Sequence, residues 1–174
     1  MTAEFPLIVT LADAAHGRTI TVEADAGTRE AIARRLGLLA LDRFSLVAEI
    51  RAIAGGIGAR GEVSADVVQA CAATDLPVPA TIAEPFDLRF LRDVDAPVGE
   101  EDEIEIGSDD LDLLPLEGDR IDLGEAAVQT LSLALDPFPR HPDADRVLAE
   151  KGVLSEEATG PFAALAKLRG KPGA

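Results

Sequence analysis

Three successive segments of the chain alternate hydrophobic and polar residues with a period of two. They begin at Phe44, Val63 and Val78. A period of two places every second side chain on the same face of a β-strand. The segments therefore predict three strands that pair as an antiparallel meander. Pro85 interrupts the third segment, and this favours a bulge or an edge position because proline cannot donate a ladder hydrogen bond.

The N-terminal region has shorter hydrophobic runs. Residues 5–11 and 19–23 lie on either side of Gly17, and they predict two strands joined in a hairpin. Residues 28–36 predict a short helix that is capped by Thr28 at its start. Gly37 is a typical helix stop, so we expect the helix to end there.

The C-terminal third predicts one long helix and a polar tail. Asp122 and Glu125 have the spacing of a capping box, and hydrophobic residues follow at helical spacing as far as Leu135. Three prolines then predict an extended exit, and the polar residues 143–160 predict a mobile tail. The hydrophobic residues of a last, short amphipathic helix are Phe162, Leu165 and Leu168.

These elements predict an α+β domain over residues 1–142 and a mobile tail over residues 143–174. We expect an antiparallel sheet of about five or six strands, with the helices at 28–36 and 122–135 on one face. Strand order, closure of the sheet into a barrel and oligomeric state are left open. No hydrophobic run has the length of a membrane-spanning helix and no leader pattern starts the chain, which favours a cytoplasmic protein.

Charge is the most unusual property of the sequence. The 16 Lys and Arg residues face 32 Asp and Glu residues, so the net charge is −16. Ten carboxylates and no Lys or Arg lie in residues 93–112, the acidic segment. Such a segment favours water or a basic partner, and the overall charge disfavours a plain nucleic-acid binder. The carboxylates expected to bind a partner are Glu100, Glu101, Asp102, Glu103, Glu105, Asp109 and Asp110.

A second charged region lies at the C-terminus. Residues 162–174, the basic segment, contain no acidic residue. Its cations could contact phosphate, form an ordinary solvated helix end, or fold back onto the acidic segment. The residues that would contact RNA or the ribosome are Lys167, Arg169 and Lys171.

Two patterns that suggest small ligands are weak in this sequence. Gly56, Gly58 and Gly61 have the G-x-G-x-x-G spacing of a dinucleotide-binding loop. The residues after them alternate as a strand rather than a helix, which favours the tip of a β-hairpin. The acidic segment lacks the glycine and the glutamate that complete a helix-loop-helix calcium loop. We therefore predict no cofactor and no metal site.

Candidate catalytic residues are scarce. Cys71, the single cysteine, is in phase with the buried face of the second predicted strand. His16 and His141 are the two histidines, and the sequence places neither of them beside Cys71 or a serine. A nucleophilic triad requires such neighbours, so no catalytic residue is predicted.

Several motifs, taken in order, resemble a known family. They are V-V-Q-A-C-A-A-T at 67–74, E-P-F at 84–86, I-D-L-G-E at 121–125, L-A-L-D-P at 133–137 and P-F-A-A-L-A-K-L at 161–168. This order resembles the YceD family, the proteins of large ribosomal RNA subunit accumulation. The resemblance covers roughly residues 44–140 and 161–168. It implies a role in the synthesis, processing or stability of large-subunit (23S) ribosomal RNA, with no established catalytic residue.

One departure from the family concerns metal binding. Members often carry a C-x-x-C pair with further cysteines after the helix, which is suggestive of a metal site. Here Cys71 occupies the first position, Thr74 occupies the second, and no cysteine follows Pro137. The resemblance therefore carries no metal site over to this chain.

RNA repels a chain of net charge −16, whereas the family resemblance implies a role connected with ribosomal RNA. The two are compatible if a basic partner links the protein to RNA. We expect a non-enzymatic factor of large ribosomal subunit biogenesis that binds a basic ribosomal protein or assembly factor through the acidic segment. Ribosomal RNA would then be contacted indirectly. The alternatives are direct RNA binding through the basic segment, a general acidic adaptor, and an enzyme whose carboxylates converge with His16 or His141.

Overall fold

A computed structural model describes residues 4–92 and 112–153. Its elements are β1 (Ile8–Thr10), α1 (Leu11–Ala14), β2 (Arg18–Glu23), α2 (Ala26–Leu36), β3 (Ala40–Ile53), β4 (Gly56–Ala70), β5 (Pro77–Leu91), β6 (Asp112–Pro115), β7 (Arg120–Asp122), α3 (Leu123–Ala134) and α4 (Ala144–Glu150). The described residues divide into two compact units. The first contains residues 4–69, 79–92 and 112–136, and the second contains residues 70–78 and 137–153.

The main sheet has five strands in the order β2-β3-β4-β5-β6. β2 pairs with β3 and β3 with β4 in antiparallel fashion, whereas β6 joins β5 in parallel. The α+β class and the β3-β4-β5 meander predicted from the sequence are thus confirmed. The sheet does not close into a barrel, because its two outer strands, β2 and β6, are not paired with each other.

The period of two explains which face of β3 is buried. Phe44, Leu46, Ala48 and Ile50 alternate along the strand, and none of them has solvent exposure. Helix α2 packs against β3, and α3 packs against β1. The ring of Phe5 meets that of Phe44 edge to face at 5.4 Å, an arrangement that aromatic pairs favour.

Pro85 lies on an uncovered part of the sheet edge. β6 pairs only with residues 88–91 of β5, and no other described strand pairs with β5 on that side. Pro85 thus lies where β5 is open on one side, which agrees with the predicted edge position and suits a residue that cannot donate a ladder hydrogen bond.

The predicted N-terminal hairpin is wrong. β1 pairs with the distant β7, with Ile8 opposite Asp122, and β2 pairs with β3 instead. The reason is α1, a single helical turn between β1 and β2. The hydroxyl of Thr10 accepts from the Asp13 N–H, and the Asp13 carboxylate accepts from the Thr10 N–H. This capping box turns the chain away before a tight hairpin can form.

Helix caps were predicted more accurately than strand partners. Asp122 caps α3 as expected, because its Oδ1 accepts from the Glu125 N–H at 3.0 Å. Gly37 ends α2 in the left-handed conformation, with φ of 67°. The start of α2 differs: Asp25, rather than Thr28, is the N-cap, and its Oδ1 accepts from the Thr28 N–H at 2.8 Å. Threonine is a residue type that favours N-cap positions, but Thr28 lies three residues after the N-cap of α2.

An arginine on α2 links this helix to α3. The Arg35 guanidinium binds both carboxylate oxygens of Glu125, at 2.6 and 2.7 Å, and also Glu4 at 2.9 Å. Two parallel N–H···O bonds fix the orientation of the pair as well as its distance. The Arg35 guanidinium therefore holds the pKa of Glu125 below its usual value.

The second unit contains the turn between β4 and β5 and the segment that follows α3. Residues 144–150 form α4, where the sequence predicted the start of a mobile tail. Ala144 is buried, so this helix has a packed side. The division at residue 142 stays a prediction, as does the mobility of the tail. Within the described residues, no helix is long and apolar enough to cross a membrane.

β6 was not predicted. It contains four residues, too few to establish a period of two, and it follows the acidic segment directly. Ile104 and Ile106 alternate with Glu103 and Glu105, a pattern that predicts a further short strand, but these residues lie outside the described part of the chain.

Candidate functional site

The residues predicted to bind partners lie outside the part of the chain that the structure describes. This applies to the seven carboxylates from Glu100 to Asp110, and to Lys167, Arg169 and Lys171. Their roles stay predictions. The structure does define where the acidic segment is attached: it leaves at the end of β5 and returns at β6, with Asp112 opposite Leu88.

The described candidate site is the turn between β4 and β5, which begins at Cys71. The Cys71 N–H donates to the Leu76 carbonyl at 2.8 Å, and the Asp75 N–H donates to the Cys71 carbonyl at 3.0 Å. Asp75 adopts a left-handed φ of 62°, which aspartate tolerates better than most residues. Backbone hydrogen bonds thus close the turn without using the side chain of Cys71.

The proline-containing segment after α3 covers this turn. The Ala72 N–H donates to the Pro139 carbonyl at 2.8 Å, and the His141 N–H donates to the Cys71 sulfur at 3.3 Å. Cys71 is 1% exposed, which agrees with its predicted burial. The structure therefore brings together Cys71 and His141, residues that the sequence separates by 70 positions.

Several donors surround the Cys71 sulfur and favour a thiolate. The His141 N–H has the largest effect, followed by the Thr74 hydroxyl; the Ala73 and Thr74 N–H groups contribute less. Loss of contact with water opposes them. The donors prevail and lower the pKa of Cys71 from 9.0 to about 7. The Thr74 Oγ1 is buried and, within the described residues, forms no hydrogen bond of full geometry, to Cys71 or to any other group.

This site does not fit a metal ion. Cys71 is the single cysteine of the chain, and Thr74 occupies the position of the second cysteine in the C-x-x-C pair that the resemblance implies. His141 presents its backbone to the sulfur, and its Nδ1 already accepts from the Asp143 N–H at 3.0 Å. No group of three metal-ligating side chains occurs in residues 4–92 and 112–153. The turn keeps donors that stabilise a thiolate without a full set of ligands.

The geometry also differs from that of a cysteine nucleophile with a histidine base. A base must reach the thiol with a ring nitrogen, whereas His141 reaches Cys71 with its backbone N–H. His16 is exposed in a turn of the other unit. What the turn offers is a buried thiol that ionises easily. Sequence reasoning missed the contact between Cys71 and His141. The motif at 67–74 contains Cys71 and the motif at 133–137 lies shortly before His141, but the sequence alone does not bring the two segments together.

The three spaced glycines serve the sheet rather than a nucleotide. The hairpin turn is at Ala54 and Gly55, so Gly56, Gly58 and Gly61 lie in β4 itself and not at the hairpin tip. A Cβ at Gly56 would lie 1.8 Å from a carbonyl oxygen of β5, and one at Gly61 would lie 2.0 Å from a carbonyl oxygen of β3. These glycines let neighbouring backbones approach closely.

The Cys71 turn, α3 and the segment that covers the turn all fall within residues 59–169, which match a family model described as large ribosomal RNA subunit accumulation protein YceD. The match spans more than half of the chain. The chain belongs to the YceD family. The assignment confirms the resemblance and supports a role of this YceD protein in large-subunit ribosomal RNA biogenesis. Searches of curated proteins and of solved structures found no match.

Proposed function

We propose that this YceD protein is a non-enzymatic, cytoplasmic factor of large ribosomal subunit biogenesis that binds a basic ribosomal protein or assembly factor through its acidic segment. The observation that carries the proposal is the concentration of ten carboxylates, without a cation, in twenty residues. Such a charge density attracts Lys- and Arg-rich proteins and accelerates their association. Ribosomal RNA would be repelled by it, and would be reached through the bound partner.

The described structure supports this proposal through the attachment of the acidic segment. The segment leaves β5 after Arg92 and returns in the parallel strand β6, whose Asp112 lies opposite Leu88. Both ends are therefore anchored on one strand pair of the main sheet. Anchored ends reduce the conformational entropy that a chain segment loses on binding.

The test is co-sedimentation with large-subunit precursor particles after neutralising the predicted contact residues. One variant changes the seven named carboxylates from Glu100 to Asp110 to Gln or Asn. A matched control changes seven exposed carboxylates elsewhere in the same way: Glu23, Glu30, Asp42, Glu62, Glu84, Glu117 and Glu150. Both variants lose the same charge, so only the position differs.

We expect the first variant to leave the precursor fractions and the control to remain in them. Association of the unmodified protein with the particles should weaken as salt is raised. Its binding to basic large-subunit proteins, measured by affinity capture, should survive nuclease treatment because it needs no RNA. Unchanged sedimentation of the first variant would refute the proposal. Equal loss in both variants would point to a general charge effect and would equally contradict it.

Direct RNA binding through the basic segment is the second candidate, and the absence of any acidic residue from 162 to 174 favours it. A variant with Lys167, Arg169 and Lys171 changed to Glu should then lose crosslinks to RNA with no protein partner present. Retained crosslinks would exclude this segment as the RNA contact.

A further inference from the structure

Three arginines line one groove on the main sheet. Arg51 comes from β3, Arg60 from β4 and Arg89 from β5, and the groove has a volume of about 270 Å³. Each arginine is exposed to solvent. We call this surface the arginine groove.

The register of the strands explains how the groove forms. Arg51 lies opposite Gly58, and the neighbouring residues Ile50 and Ala59 face the buried side of the sheet. A Cβ on Gly58 would lie 3.2 Å from Ile53 Cγ2 and 3.7 Å from the Nε of Arg51. The arginine side chain therefore lies across the glycine, whose missing side chain leaves the floor of the groove open.

The arginines of the groove are poorly neutralised for so acidic a protein. Eight of the twelve arginines in the described residues form ion pairs with carboxylates. Within those residues Arg51 and Arg89 form none, and Arg60 has one long contact, 3.9 Å from Asp87. Among the described residues that line the groove, the three arginines stand against one carboxylate, Asp87. Glu49 lies opposite Arg60 on β3 but is not part of this lining.

The chemistry of the groove is that of a phosphate-binding surface. Guanidinium groups bind phosphate oxygens through paired hydrogen bonds. Adjacent strands are about 4.8 Å apart, so the backbones of β3 and β5 place Arg51 and Arg89 roughly 10 Å apart across β4. That span exceeds a single phosphate and suits a chain of them. Among the described residues, the lining contains no aromatic ring on which bases could stack, which favours backbone contact without sequence readout.

We propose that the arginine groove binds the phosphate backbone of RNA. That this RNA belongs to the large ribosomal subunit rests on the proposed function. The groove adds a direct contact to the one made through a basic partner. It also locates RNA binding on the folded sheet, far in sequence from the basic segment.

The test measures binding of the purified full-length protein to a single-stranded RNA of large-subunit sequence by fluorescence anisotropy, at several salt concentrations. The groove variant is R51Q/R60Q/R89Q. A control with the same charge, R18Q/R34Q/R146Q, removes three exposed arginines that already pair with carboxylates. A third variant, R51K/R60K/R89K, keeps the charge of the groove but not the paired hydrogen bonds.

Three phosphate contacts to single-stranded RNA contribute about −2 to the slope of log affinity against log salt concentration. We expect the groove variant to lose that contribution and to bind at least about tenfold more weakly. The lysine variant should keep the salt dependence and lose part of the affinity, which distinguishes phosphate binding from a structural role. The control should change affinity by less than about threefold.

No RNA binding by the unmodified protein at low salt would overturn the inference, as would equal losses in the groove and control variants. Tighter binding of polyglutamate than of RNA would assign the groove to an acidic protein and overturn it too. These outcomes are separate from the co-sedimentation test, in which the groove arginines are unchanged. RNA binding by the groove can therefore be refuted while the acidic segment is still found to bind its partner. Partner binding by the acidic segment can likewise be refuted while the groove still binds RNA.

Discussion

Ionisation of Cys71 tests the geometry of its turn most directly. Because the pKa of this thiol is lowered to about 7, half of it should be ionised at pH 7 in the folded protein. With the ordinary value of 9.0, only about 1% would be ionised at that pH. The thiolate absorbs in the ultraviolet, and the chain contains a single Cys and no Tyr or Trp. A pH titration of absorbance therefore reports on Cys71 alone.

Two substitutions at one position separate the backbone of His141 from its side chain. His141→Pro removes the N–H that donates to the sulfur, the largest cause of the lowered pKa. The titration midpoint should then rise above 7. His141→Ala keeps the N–H and should leave the midpoint close to that of the unmodified protein. Cys71→Ser supplies the baseline.

Stability should follow the same ionisation. A lowered pKa means that the folded state binds the proton less tightly than the unfolded state. Its contribution to stability is therefore fully present above pH 9 and is lost as the pH falls through about 7. The urea midpoint of the unmodified protein should rise from pH 7 to pH 9 relative to Cys71→Ser. A thiol titration midpoint near pH 9 in the folded, unmodified protein would refute the reasoning. An equal rise of that titration midpoint in His141→Ala and His141→Pro would refute it too.

Two further substitutions test the fold by urea denaturation. Glu125→Gln removes the paired bonds to Arg35 and should lower the free energy of unfolding by no more than about 1 kcal/mol, because the pair is partly exposed. Glu30→Gln, in a more exposed pair, should lower it by less. Since the pKa of Glu125 is lowered, this cost should shrink as the pH falls below 4.5, and a constant cost would contradict the assignment. Gly61→Ala places a Cβ 2.0 Å from a backbone oxygen and should destabilise by about 1–3 kcal/mol or more, whereas Gly27→Ala, with ordinary contacts in α2, should be neutral or stabilising. Equal stability of the two alanine variants would show that β3 and β4 are not held so close at residue 61.

The candidate sites were predictable only in part. Charge counting located the acidic and basic segments, because charge is a property of composition. It did not locate the arginine groove, whose Arg51, Arg60 and Arg89 are scattered among acidic residues in the sequence. They meet only because three long strands pair in one register. Likewise, the sequence marked Cys71 as buried, but only the fold brings the His141 N–H to its sulfur.

By itself, the sequence determined the features that depend on neighbouring residues. The period of two predicted β3, β4 and β5, Asp122 marked the start of α3, and Gly37 marked the end of α2. Such signals are local, since strand alternation and helix caps act within a few residues.

Only the tertiary structure decided which distant segments pair. β1 could have formed a hairpin with β2 by its hydrophobic pattern, yet it pairs with β7, more than a hundred residues away in the sequence. Backbone hydrogen bonds are the same for every strand, so the choice of partner depends on which arrangement buries side chains such as Val9 together with Ile121. The parallel pairing of β6 with β5 was decided in the same way, and with it the position of the acidic segment.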